Sequence, residues 1–394
     1  MVLEINTGGN LSPEAVIGRD SLIASIWKTL EVQSVILSAE RRMGKTSILK
    51  KMVAEPMSGF IPIYRDLEAI KSPEEFLEYL IQDMDEHLTA ARKTQEWLKN
   101  AWKMVGGADV LGKFKVPNAP QFDWKTSLQI LLREIAQNVE GRVVFLWDEM
   151  PLMLHNIKRV SGEKLAMEIL DTFRAIRHDA STEGLRMVFT GSIGLHHVLT
   201  ELRQAGYANK PVNDMQNILV PGLNQQYAYL LAEGLLEGIG ITDSEARKQS
   251  AQQISEATDC IPFYIHHLVK RIRDYPEGKS EGVVNVAAIR SDLLNDPQDA
   301  LDLKYYRERI KTYYSSEQQP IALFALDSLA NTEPLIFADL LSRITLKNPA
   351  LESEMLRDTI SLLEQDHYLQ RDSTGYGFQR RLVRDGWKAL RGIA

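Results

Sequence analysis

The chain has 394 residues, 44% of them hydrophobic and 25% charged, with a formal net charge of −7. Such a composition can build a large core, which excludes whole-chain disorder, and no run reaches the roughly 18 consecutive apolar residues a membrane helix needs. The acidic balance opposes nucleic-acid binding over the whole surface, and the length predicts two or three domains.

The opening MVLEINTGGN has neither a basic leader nor an apolar stretch, so no signal peptide is expected. Short apolar runs then alternate with helical patterns, which predicts an α/β domain with a parallel sheet. The expected strands are Ser34 to Ser38, Phe60 to Tyr64, Val143 to Trp147, Leu185 to Thr190 and Asn217 to Val220. Their unbroken hydrophobicity fits strands covered on both faces. The Gly- and Pro-rich segment Val105 to Pro120 reads as a loop or hairpin insertion. One helix is expected between Val143 and Leu185, with Leu165, Ile169, Leu170, Phe173 and Ile176 as its apolar stripe. From Asn224 to about Asn295 the pattern is helical without strands. Pro262 there opens a helix carrying Ile265, Leu268, Val269 and Ile272 on one face. The single cysteine, Cys260, excludes an intramolecular disulfide and reads as a small buried apolar side chain of a protein in a reducing cytoplasm. Last come three helices, Gln319 to Ala330, Ile336 to Ile344 and Glu352 to Gln365. Strands Tyr368 to Arg371 and Gly377 to Leu382 then flank a turn at Asp372-Ser373-Thr374-Gly375. That is the order of a winged helix-turn-helix.

The strongest signal is Ala39-Glu40-Arg41-Arg42-Met43-Gly44-Lys45-Thr46-Ser47, between a strand and a helix. It has the frame of a phosphate-binding loop, with Ala39 where the first glycine stands. Main-chain N–H groups of residues 40–47 would wrap anionic phosphates at the helix N-terminus. Lys45 would reach the β- and γ-phosphates, and the Thr46 hydroxyl would ligate Mg²⁺. A chance Gly-Lys-Thr is common, but a buried strand ending in Asp148-Glu149 supplies the partner motif. Asp148 would hold the Mg²⁺ shell and Glu149 would activate the attacking water; the rival reading is a capping pair. Thr190-Gly191-Ser192 puts a hydroxyl at a third strand tip, to hold water or sense the γ-phosphate, or merely to make a turn or a Ser192 cap.

These motifs in this order resemble the AAA+-like P-loop ATPases, and Arg41 to Ser47 is similar to the R-R-x-G-K-T-S loop of archaeal-type and STAND ATPases. Val16-Ile17-Gly18-Arg19-Asp20 resembles the box preceding that loop, Thr7-Gly8-Gly9-Asn10-Leu11 its leader, and Asp259-Cys260-Ile261-Pro262 a G-x-P-type lid motif with cysteine for glycine. The resemblance adds Ile17 and Pro262 to the nucleotide-binding residues. It implies a P-loop domain over 1–223, a helical lid over 224–295 and a winged helix over 296–394. It also implies a slow Mg²⁺-dependent ATPase acting as a switch on a protein partner or effector, in signalling or phage defence, with a nucleotide-dependent oligomer as a further option. The alternative is a DNA-acting ATPase, origin-recognition-like or a transposition regulator; a third reading, a vestigial ATP-binding scaffold, is opposed by the intact Glu149.

No arginine finger carries over, since Pro211-Val212-Asn213-Asp214-Met215-Gln216 lacks one; Arg174, Arg177 and Arg203 read as solvated helix charges. The pairs His196-His197 and His266-His267 read as helix-surface histidines rather than a metal site, because neighbours on a helix point about 100° apart. Glu352, Glu354, Asp358 and Glu364 on the third C-terminal helix oppose DNA. Arg371, Arg380, Arg381, Arg384, Lys388 and Arg391 could meet a DNA backbone, an acidic protein face or water.

Overall fold

The computed structural model describes residues 3–9, 11–88, 108–110, 113–115, 123–191, 194–275, 279–280, 283–349 and 351–393. It divides into two compact units, Ser12–Ser38 with Lys45–Val220, and Met1–Leu11 with Ala39–Gly44 and Pro221–Ala394.

In the first unit α1 (Asp20–Leu30) leads to β1 (Val35–Ser38), and α2 (Lys45–Ala54) leads to β2 (Phe60–Asp66). After α3 (Pro73–Leu88), residues of the expected insertion form an antiparallel hairpin, β3 (Ala108–Val110) with β4 (Lys113–Lys115). Then come α4 (Trp124–Asn138), β5 (Arg142–Asp148), α5 (Met150–Ser161), α6 (Glu163–His178), β6 (Leu185–Thr190), α7 (Leu195–Gln204) and β7 (Gln216–Leu219). Five strands form one parallel sheet in the order β2–β5–β6–β1–β7. Every strand expected of this sheet is present, within two residues at each end. Along β5, six consecutive residues are buried, as a strand covered on both faces requires. Trp147 stacks on Phe145 and Phe189, tilts against Phe173 and meets Phe76 edge-on, with ring centroids 4.9–5.8 Å away, anchoring the strand that ends in the acidic pair.

The interval between β5 and β6 holds two helices where one was expected. Pro151 sits in the first turn of α5, where a missing N–H costs nothing, so it starts this helix rather than breaking it. The expected stripe lies on α6, with Ile169, Leu170, Phe173 and Ile176 buried and Leu165 partly so.

The second unit contains α8 (Gln225–Gly238), α9 (Ser244–Ala257), α10 (Pro262–Asp274) and α11 (Val286–Leu294), with two-residue strands β8 (Lys279–Ser280) and β9 (Val283–Val284) between the last two helices. Then follow α12 (Lys304–Tyr313), α13 (Gln318–Asn331), α14 (Phe337–Thr345) and α15 (Ser353–Gln365). The antiparallel pair β10 (Leu369–Arg371) and β11 (Tyr376–Phe378) comes next, giving the helix–helix–helix–hairpin order. Asp372 closes the turn by accepting the N–H groups of Thr374 and Gly375. The second strand is shorter than expected, because residues from Arg381 to Arg391 form α16, which buries Leu382, Val383 and Trp387.

Part of the basic tail is paired internally. Arg384 pairs with Glu333 at 2.6 Å, and Arg391 makes two hydrogen bonds to Asp327, which also accepts the Trp387 indole N–H. Among the described residues no helix is long and apolar enough to cross a membrane.

Candidate active site

The loop 39–44 follows β1 directly and α2 opens at Lys45, the strand–loop–helix connection expected of a phosphate-binding loop. Gly44 has φ +86 and Arg42 φ +70. Glycine adopts that region freely, whereas arginine must be held there. The Arg42 guanidinium donates to Asp302 at 3.2 and 2.9 Å and lies 4.3 Å from the ring centroid of Phe263. Phe263 follows Pro262, which occupies the first position of α10 as expected. Met43 is buried, and Arg41 forms an ion pair with Asp302 at 2.8 Å while lying over Tyr305. Glu40 is only 2% exposed and accepts from Arg380 Nε at 2.8 Å. Burial pushes its carboxyl above the ordinary range, against the pull of Arg380.

On the sheet side, Lys45 is buried at the first position of α2 and Ser47 is half-buried. The Thr46 hydroxyl donates to Asp148 Oδ2 at 2.6 Å, so the two residues expected to share a cation are brought together. Asp148 is buried at the end of β5, and its Oδ1 accepts the Glu149 N–H at 3.1 Å. Burial raises the Asp148 carboxyl, while the Thr46 hydrogen bond acts in the opposite direction. Tyr64 on β2 was not expected here. Its hydroxyl donates to Asp148 Oδ2 at 3.4 Å, and burial followed by the nearby Asp148 raises its own pKa. A tyrosine at a strand's C-terminal end, on the strand beside the acidic one, was the available signal.

Glu149 has φ +55 and makes no side-chain cap to α5, so the capping alternative is not realised. A Cβ on Gly191 would lie 2.7 Å from Pro151 Cδ and 3.4 Å from Glu149 Oε2, so the β6 tip passes hard against the acidic pair. Thr190 is 2% exposed, and its hydroxyl has no hydrogen-bond partner among the described residues. β6 lies between β5 and β1, with Leu37 in register with Thr190. Ser192 lies outside the described residues. Ile17 is half-buried in the turn before α1, between buried Val16 and Arg19.

Several side chains depart from expectation. Arg177 is not solvated: its side chain is 5% exposed and binds Asp214 at 2.6 Å and the Pro211 carbonyl. Arg174 is half-buried and donates to the Lys210 carbonyl, whereas Arg203 is exposed as expected, donating only to Leu199 within its own helix. His197 and His266 are buried rather than on helix surfaces, and His266 Nδ1 accepts the Asn6 N–H at 3.1 Å. Cys260 is half-buried, and its φ of +57 is the glycine-favoured conformation at the position where the lid motif has glycine.

No protein-family model and no curated protein matches the sequence. Among solved structures, the chain is similar to the Walker-type ATPase PABY2304 of Pyrococcus abyssi, at 13% identity and TM-score 0.62, over 97% of this chain and 99% of that one. It is also similar to the Aeropyrum pernix ORC2 protein, at 10% identity and TM-score 0.51, over 99% and 96% of the two chains. With the parallel sheet and its strand–loop–helix at β1, these likenesses give the chain the α/β fold of an AAA+-like P-loop NTPase.

Proposed function

We propose that this chain binds ATP with Mg²⁺ at residues 40–47 and hydrolyses it slowly, as a conformational switch of the AAA+/STAND type. The observation that carries the reading is the Thr46–Asp148 contact at 2.6 Å with Glu149 as the next residue. A hydroxyl and a carboxylate are hard oxygen donors of the kind Mg²⁺ takes. When bound, Mg²⁺ neutralises charge on the transferring phosphoryl group. Lys45 sets the β- and γ-phosphates, Glu149 orients the attacking water and takes its proton, and Thr190 holds that water or the γ-phosphate. Ile17 and Pro262 complete the nucleotide contacts. The solved Aeropyrum structure is of ADPNP–ADP complexes, which supports nucleotide binding by this fold.

In this reading residues 1–223 form the ATPase core, 224–295 the lid and 296–394 a winged helix that serves a protein partner in signalling or phage defence. The internal pairing of Arg380, Arg384 and Arg391 favours protein over DNA, as do the exposed Glu352, Glu354 and Asp358. Calorimetric titration of ATP with Mg²⁺ tests the site. Tight binding by the unsubstituted chain and none by Lys45→Ala is the expected result; equal binding by both overturns it.

A further inference from the structure

Glu40, Arg41 and Arg42 are consecutive in the loop that would cradle phosphates, and the C-terminal half holds all three. Asp302 lies within 2.8–3.2 Å of both arginines, Arg41 lies over Tyr305, and Arg380 is 2.8 Å from Glu40. Tyr306 also donates to Glu40, at 3.5 Å.

These anchors have a buried root. The Tyr368 hydroxyl donates to the main-chain oxygen of Tyr306 at 2.6 Å, and Arg309 and the Tyr314 hydroxyl both donate to Asp366. Tyr306, Arg309, Asp366 and Tyr368 are all at most 4% exposed. A close-packed network of this kind transmits displacement instead of absorbing it.

A carboxylate is an unexpected occupant of an anion-binding loop. Buried and unpaired, Glu40 would be costly in itself and would repel polyphosphate. Asp259 adds like charge nearby, and the Tyr306 hydroxyl faces the carboxylate. Arg380 sets a cation against it, with Nε 2.8 Å from Oε1.

We infer that Arg380 is a positioning residue: it neutralises Glu40 and, with Asp302, fixes the phosphate loop, so that nucleotide occupancy and the C-terminal anchors at residues 302–306 and 380 are coupled. The inference rests on the nucleotide-binding reading. Because binding coupling is reciprocal, whatever alters the anchors alters nucleotide affinity, and nucleotide alters the anchors.

The test titrates ATP with Mg²⁺ into the full chain carrying no substitution, Arg380→Met, Glu40→Gln, or both. Arg380→Met is expected to weaken binding by about tenfold or more, since it removes the guanidinium that faces a buried carboxylate at 2.8 Å. The double variant should recover to about the affinity of Glu40→Gln alone, the non-additivity expected if Arg380 acts through Glu40. In the unsubstituted chain, ATP with Mg²⁺ should slow amide exchange in residues 302–306 and 378–382, a readout independent of whether Arg380→Met folds. Unchanged affinity in folded Arg380→Met, a double variant no better than Arg380→Met, or unchanged exchange at the anchors overturns the inference alone. Failure of the unsubstituted chain to bind ATP overturns the nucleotide-binding reading itself.

Discussion

Replacing Gly191 by alanine should injure hydrolysis through a packing contact beside Glu149. The added Cβ would stand 2.7 Å from Pro151 Cδ and 3.1 Å from its Cγ. Carbon atoms pack at about 3.5–4.0 Å, so roughly 1 Å must be found. The Pro151 ring closes on its own backbone and cannot swing aside, so the first turn of α5 has to move. Glu149 immediately precedes that turn, and its Oε2 is 3.4 Å from the new carbon. Overpacking of this kind costs about 1–3 kcal/mol, and misplacing a reacting group by about 1 Å costs on the order of 10²-fold in rate. Steady-state turnover, measured beside urea unfolding, separates the two effects. The variant should lose turnover far more than it loses ATP affinity. Wild-type turnover with an unchanged unfolding midpoint would refute the argument that the β6 tip positions Glu149.

Other outcomes follow from single contacts. Asp327→Ala removes the acceptor of the buried Trp387 indole N–H and both hydrogen bonds from Arg391, so urea unfolding should show a loss of about 2 kcal/mol. His266 is held neutral, its pKa pushed down to about 4 first by burial and then by His267. Its native pKa lies below the unfolded value of 6.5, so the unfolded chain takes up the proton first as pH falls. Stability should therefore be full above about pH 6.5 and decline by up to about 3 kcal/mol toward pH 4; this acid-side loss should vanish in His266→Gln.

The sheet was legible because buried parallel strands read as continuous apolar runs, and β5 and β6 carry those runs with little interruption. The acidic pair was legible for the same reason: Asp148 and Glu149 are the first charges after such a run. Local signals misled where one residue type has two uses. Pro151 opens α5, a helix the sequence reading did not separate, and the arginine-rich stretch from 381 hides the apolar face of Leu382, Val383 and Trp387. The partners of the charges were not legible at all. Glu40 and Arg380 are 340 positions apart, Arg177 and Asp214 are 37, and nothing in either neighbourhood marks the other. A reading of charge from sequence sees solvated arginines, whereas folding chooses acceptors by proximity in space. Tyr64 was overlooked because an aromatic residue in a strand is ordinarily core.

The central claim is that Glu149, set in a left-handed turn beside Asp148, activates the water that attacks ATP. Phosphate release in a single turnover, with enzyme in excess over ATP and with Mg²⁺ present, tests it most directly. Glu149→Gln preserves size and removes the base, so release should slow by about 10²-fold or more while ATP affinity stays intact. Release at the unsubstituted rate would contradict the account.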